Sequence, residues 1–67
     1  MLSKNIKELR KKHKLSQEQL AQKAGITYST LIKIESGVND NPTIKTVMKI
    51  ADAFGVGMET LVKNEKV

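Results

Sequence analysis

One local signal occurs three times in this chain and dictates where helices begin: an apolar residue, a capping residue, three more positions, then another apolar residue. Leu15-Ser16 leading to Leu20, Ile26-Thr27 leading to Leu31, and Val56-Gly57 leading to Leu61 all fit. The middle residue suits an N-cap, and the apolar pair staples the entering chain onto the first turn. Gln19 completes a capping box with Ser16, Gly57 is a weaker cap, and Thr43 after Pro42 opens a fourth start that reaches Val47. Stops agree with starts. Gly25, Gly37 and Gly55 each follow a periodic segment where a left-handed residue ends a helix. The signals predict five helices, near 3–13, 17–24, 28–36, 44–54 and 58–64, joined by one real loop from Gly37 to Pro42. No segment alternates at period two with β-branched residues, so no strand is expected.

Each predicted helix carries an apolar stripe: Leu2, Ile6, Leu9 and His13 on the first; Leu20, Ala21 and Ala24 on the second; Leu31 and Ile34 on the third. The fourth is expected to bury most, with Ile44, Val47, Met48, Ile50, Ala51 and Phe54, while Val56, Leu61 and Met58 close the core. A chain of 67 residues has material for one thin core, so residues 1–67 are expected to form a single all-α domain. There is no cysteine and only one histidine, His13, which leaves no disulfide and no ordinary zinc site. No apolar run exceeds two residues. A bilayer span needs about 20, so no membrane role and a cytoplasmic location are expected. With Tyr28 and Phe54 as the sole aromatics, a base-stacking platform for single strands is excluded.

The net charge of +5 lies entirely in residues 1–14, which carry Lys4, Lys7, Arg10, Lys11, Lys12 and Lys14 against Glu8. A basic end on a neutral body points to a polyanionic partner. A solvated face that keeps a thin-cored protein in solution accounts for the same lysines.

Residues 17–36 are the most specific segment. Two short helices separated by a three-residue turn must cross steeply, and Ala21 supplies the small residue a close crossing needs. Leu31 and Ile34 anchor the second helix from one side. Ser29 and Ser36 then point outward, Ile32 and Lys33 flank that direction, and Tyr28 sits at the edge of the first turn. Short polar groups with one long cation are what a helix in the major groove presents to base edges, and an ordinary solvated surface presents the same row. Arg10 and Glu35, each about 70° from the inward direction of its own helix, are expected to form a partly shielded bidentate pair, the alternative being two independent solvated charges.

The text from Leu15 to Gly37, "LSQEQLAQKAGITYSTLIKIESG", followed by Pro42-Thr43 and "KIADAFGV" from Lys49 to Val56, resembles the Cro and phage-repressor (XRE) type of helix-turn-helix DNA-binding proteins. The likeness extends over residues 3–62. It implies a compact five-helix lambda-repressor-like fold and a sequence-specific, double-strand DNA-binding transcriptional regulator, a repressor rather than an enzyme. By the same resemblance, Tyr28, Ser29 and Lys33 would touch bases, and Gln17, Thr27, Ser36, Asn39, Asn41 and Thr43 would hold phosphates; Ile32, near the outward direction, is a further candidate for base contact through thymine methyls or, equally, for burial against a partner or a neighbouring helix. Two positions depart from the pattern. The loop after Gly37 reads Val38-Asn39-Asp40-Asn41 where the family often carries Lys or Arg, and Gly57 stands where a hydroxyl cap is usual.

Five short helices offer no cleft for catalysis, so no enzyme activity and no cofactor are expected. The alternative is a protein-binding module, an adaptor or antitoxin on the same fold. A two-fold homodimer on DNA is expected, with Met58, Val62 and Val67 as candidate contacts. No small-molecule ligand is evident.

Overall fold

A computed structural model describes residues 2–62. The described residues form five helices and no strand: α1 (Leu2–Lys12), α2 (Gln17–Ala24), α3 (Tyr28–Glu35), α4 (Ile44–Phe54) and α5 (Met58–Val62). The sequence places α2 and α4 correctly to the residue. It misses α1 by one position at each end, and it extends α3 by one residue, Ser36, which is the C-cap. The last two residues of the predicted 58–64 segment, like Val67, lie outside the described residues.

The starts follow the side-chain chemistry. Ser16 Oγ accepts from Gln19 N at 3.0 Å while Gln19 Oε1 accepts from Ser16 N at 2.8 Å, so two amides that the helix cannot satisfy itself are bonded reciprocally. Thr27 and Thr43 cap α3 and α4 through Thr30 N (3.1 Å) and Thr46 N (3.2 Å). The stops of α2 and α4 are Gly25 and Gly55, at φ 74° and 71°.

The end of α1 is different. Lys14 takes up the left-handed conformation at φ 58°, and Leu15 N closes the turn by donating to Arg10 O at 3.0 Å. A side chain there crowds its own carbonyl, at a cost of about 1–2 kcal/mol that glycine avoids. Lys14→Gly is therefore expected to raise stability by about 1 kcal/mol, a melting temperature gain of roughly 4 °C or more. An unchanged or lower value in a thermal melt would contradict it.

The core is assembled from Ile6, Leu20, Leu31, Ile34, Ile50 and Leu61, all fully buried, with Ala21, Ala24, Val47, Ala51 and Phe54 around them. Leu2, Leu9, Leu15, Ile26, Ala53 and Val56 pack against its margin. Three expected core members are not in it. Ile44 is 69% exposed, Met48 48% and Met58 36%. The inward direction of α4 is set by Val47, Ile50, Ala51 and Phe54, and Ile44 and Met48 fall on the flank of that row, where no further layer of the described residues covers them. His13 is exposed and rests its ring against Phe54, with centroids 5.1 Å apart at 52°. Buried Asn5 donates from Nδ2 to Leu61 O at 2.7 Å. That bond ties α1 to the end of α5 and satisfies a carbonyl that has no partner inside so short a helix.

Candidate nucleic-acid interface

The turn between α2 and α3 is built by its own hydrogen bonds. Ile26 N donates back to Ala21 O at 3.0 Å and Gly25 N to Gln22 O at 3.2 Å, which folds the chain sharply before Thr27 caps the next helix. Ala21, 3% exposed, keeps the two helices close, and fully buried Leu31 with Ile34 anchors α3 from one side only. The opposite side of α3 carries Ser29, Lys33 and Ser36, all exposed, with Tyr28 48% exposed at the first turn and Ile32 half-buried beside them. These four side chains Tyr28, Ser29, Ile32 and Lys33 thus share the solvent side of one helix.

A polar network sets the pose of that helix. Arg10 Nε and Nη2 donate to the two carboxylate oxygens of Glu35 at 2.9 and 3.2 Å, while Nη1 donates to Leu15 O at 3.0 Å. Glu35 is only 3% exposed and the Arg10 side chain 15%. Glu35 Oε1 also accepts from Gln17 Nε2 at 3.0 Å. One carboxylate therefore joins α1, the start of α2 and the end of α3. A two-pronged guanidinium pair fixes both distance and angle, which a single contact does not. The bond from Gln17 had no signal in the sequence, because it depends on how α2 crosses α3.

The remaining residues expected at phosphates stand at helix ends and in the loop between α3 and α4. Gln17 is half-buried, Thr27 and Thr43 are exposed at the starts of α3 and α4, and Ser36 is exposed at the end of α3. Thr27 Oγ1 donates to Thr30 Oγ1 at 2.8 Å, and Ser36 Oγ donates to Lys33 O at 3.1 Å. In the loop, Asn39 N donates to Lys33 O at 2.9 Å, and Asn39 Oδ1 accepts from Asn41 N at 3.1 Å. These bonds hold the loop against the end of α3 in the absence of the basic residues usual there. Asp40 is exposed. Among the described residues no group of three or more His, Asp or Glu approaches closely enough to hold a metal, and no helix is long and apolar enough to cross a membrane.

Comparison with known proteins agrees with this architecture. A family model described as helix-turn-helix matches residues 6–61. An HTH-type transcriptional regulator of Methanocaldococcus jannaschii is 45% identical over 56 residues, covering 84% of this chain and 83% of that protein. The immunity repressor of Bacillus phage phi105 is 43% identical over 67 residues, covering 91% of this chain but 46% of the repressor. The chain thus spans about half the length of that relative. Among solved structures, the N-terminal DNA-binding domain of SinR from Bacillus subtilis superposes with a TM-score of 0.93 at 33% identity, covering 100% of this chain and 97% of that one. SinR in complex with SinI superposes at 0.92, with 98% of this chain and 64% of that one covered. The chain belongs to the helix-turn-helix family of DNA-binding transcriptional regulators.

Proposed function

We propose that this protein is a repressor that reads double-stranded DNA by inserting α3 in the major groove, as a single DNA-binding unit and not as an enzyme. The observation that carries the reading is the one-sided anchoring of α3: Leu31 and Ile34 are buried while Ser29 and Lys33 are exposed on the same two turns. A helix held this way offers its far side to a groove about 12 Å wide. Tyr28, Ser29, Ile32 and Lys33 are then the base-reading set. Gln17, Asn39, Asn41 and Thr43 supply amide or hydroxyl groups at the rim where the sugar-phosphate walls pass. Lys7 and Lys11 beside Gln17 add long-range attraction. Repression is favoured by the likeness to a phage immunity repressor.

The protein acts as a two-fold dimer on DNA in this reading. Met58 and Val62, 36% and 55% exposed, form with Ile44 an apolar surface on one side of the molecule that a second copy would cover. Exposure of that apolar surface also supports the alternative of a protein-binding module on the same fold, and the similar SinR chain occurs in a complex with SinI.

Selection of duplexes from a random pool, followed by titration of the best one against salt, separates the two. The DNA reading expects an enriched sequence with two-fold related half-sites about 34 Å apart, and affinity that falls with a slope near −0.9 per phosphate neutralised. No enrichment, with salt-insensitive association to a protein partner, would contradict it.

A further inference from the structure

A duplex bound by a two-fold dimer contains base pairs that no side chain touches, and their identity still enters the binding energy through the shape and potential of the grooves. Where those pairs lie follows from the half-site spacing. Two copies of α3 enter the major groove about 34 Å, or one helical turn, apart on the same side of the duplex. Halfway between them that side presents the minor groove. Residues close to the two-fold axis and on the DNA side of the dimer therefore face the central minor groove.

Asp40 is such a residue. It lines one cleft with Ile44, Met58 and Val62, the apolar surface that a second copy would cover, so it borders the dimer contact. It also belongs to the loop that follows α3, and that loop is tied down on both sides of it. Asn39 N donates to Lys33 O at 2.9 Å, and Asn41 N donates to Asn39 Oδ1 at 3.1 Å. From Gly37 to Thr43, Asp40 is the single charged residue in the sequence. Lys45, the next cation along the chain, is exposed about 170° from the inward direction of α4, on the far side of that helix from Val47. An A·T-rich centre has a narrow minor groove of enhanced negative potential, which attracts cations and repels a carboxylate; a G·C-rich centre leans toward wider, A-like geometry. The repulsion is a field felt over about 8 Å at physiological salt, so it does not depend on the rotamer of the carboxylate.

We propose that Asp40 determines specificity without touching a base: its two copies in the dimer bias the centre of the bound duplex toward G·C and away from A·T. The inference rests on the dimeric DNA-binding reading above and extends it to base pairs outside the reach of α3.

The test takes the two-fold duplex that selection yields and varies only its centre, all G·C or all A·T, with the half-sites kept. The ratio of the two affinities is measured for wild type, Asp40→Asn and Asp40→Lys. Removing the charge with asparagine, which keeps the shape, is expected to move the ratio toward A·T by about two- to fivefold, the size of a screened interaction between a few charges. Lysine should move it further in the same direction. Melting temperatures should stay within a degree or two, because Asp40 is exposed. Raising the salt should bring the wild-type ratio to that of Asp40→Asn. The same ratio in wild type and Asp40→Asn at low salt, on a duplex that wild type does select, would overturn the assignment alone. A difference between them that persists at high salt would mean that the carboxylate bonds a guanine amino group directly, and the field account would be wrong. A selected duplex without two-fold half-sites would remove the dimer, and no selected duplex the DNA-binding reading, each taking this inference with it.

Discussion

Arg10→Met is expected to lower the melting temperature by roughly 10–25 °C. The reason is what it leaves behind. Glu35 is 3% exposed, and without Arg10 its carboxylate would keep only the bond from Gln17 Nε2 at 3.0 Å. An ionised carboxylate removed from water and stripped of its counter-ion costs several kcal/mol. Removal of one partner of a buried pair typically destabilises by about 3–5 kcal/mol. Arg10 retains 15% exposure, so water enters to some extent and about 2–4 kcal/mol is the appropriate range. A 67-residue domain holds only about 3–10 kcal/mol in total, and the variant should therefore be partly unfolded at 37 °C. The double variant Arg10→Met with Glu35→Met carries no buried charge and is expected to recover most of the loss. Thermal and denaturant melts of the two check this. A single variant as stable as wild type would mean that the pair contributes nothing, and a double variant as poor as the single would mean that shape, not charge, is what Arg10 provides.

Lys33→Ala is expected to do the opposite: leave folding intact and weaken DNA binding about five- to 150-fold, equivalent to about 1–3 kcal/mol. Lys33 is exposed on the solvent side of α3. Nothing in the fold depends on it. An ammonium group in the groove pairs with guanine O6 and N7, and discrimination is then lost at one base-pair position while the rest of the selected sequence is read as before. A phosphate contact would behave differently, weakening all sequences equally and lowering the salt slope by about one unit. Binding measured on single-base variants of the selected duplex separates the two results. An unchanged affinity would remove Lys33 from the interface.

The parts of this fold that sequence makes legible are those governed by chemistry within four residues. Ser16 with Gln19, Thr27 and Thr43 announce helix starts because a cap bonds to amides two or three positions ahead, and Gly25 and Gly55 announce stops because only glycine enters the left-handed region freely. Lys14 shows the limit of that rule. It occupies the same backbone region as those glycines, and no local preference marks a lysine for it. Tertiary choices are less visible. The apolar stripe of α4 is broader than the core it meets, which is why Ile44 and Met48 read as buried and are exposed. Asn5 is buried to bond the end of α5, a partner 56 positions away that no local pattern marks. In the candidate interface, the outward position of Ser29 and Lys33 follows from helical period alone.

The most direct measurement follows backbone amide signals of the labelled protein as the selected duplex is added. The account requires that the largest changes fall on Tyr28, Ser29, Ile32 and Lys33, with lesser ones at Gln17 and Asn39, and that Leu31 and Ile34 move little. If the signals of α3 stay fixed while those of Ile44, Met58 and Val62 shift, the molecule meets DNA through another surface or does not meet it at all, and the assignment of α3 as the reading helix is wrong.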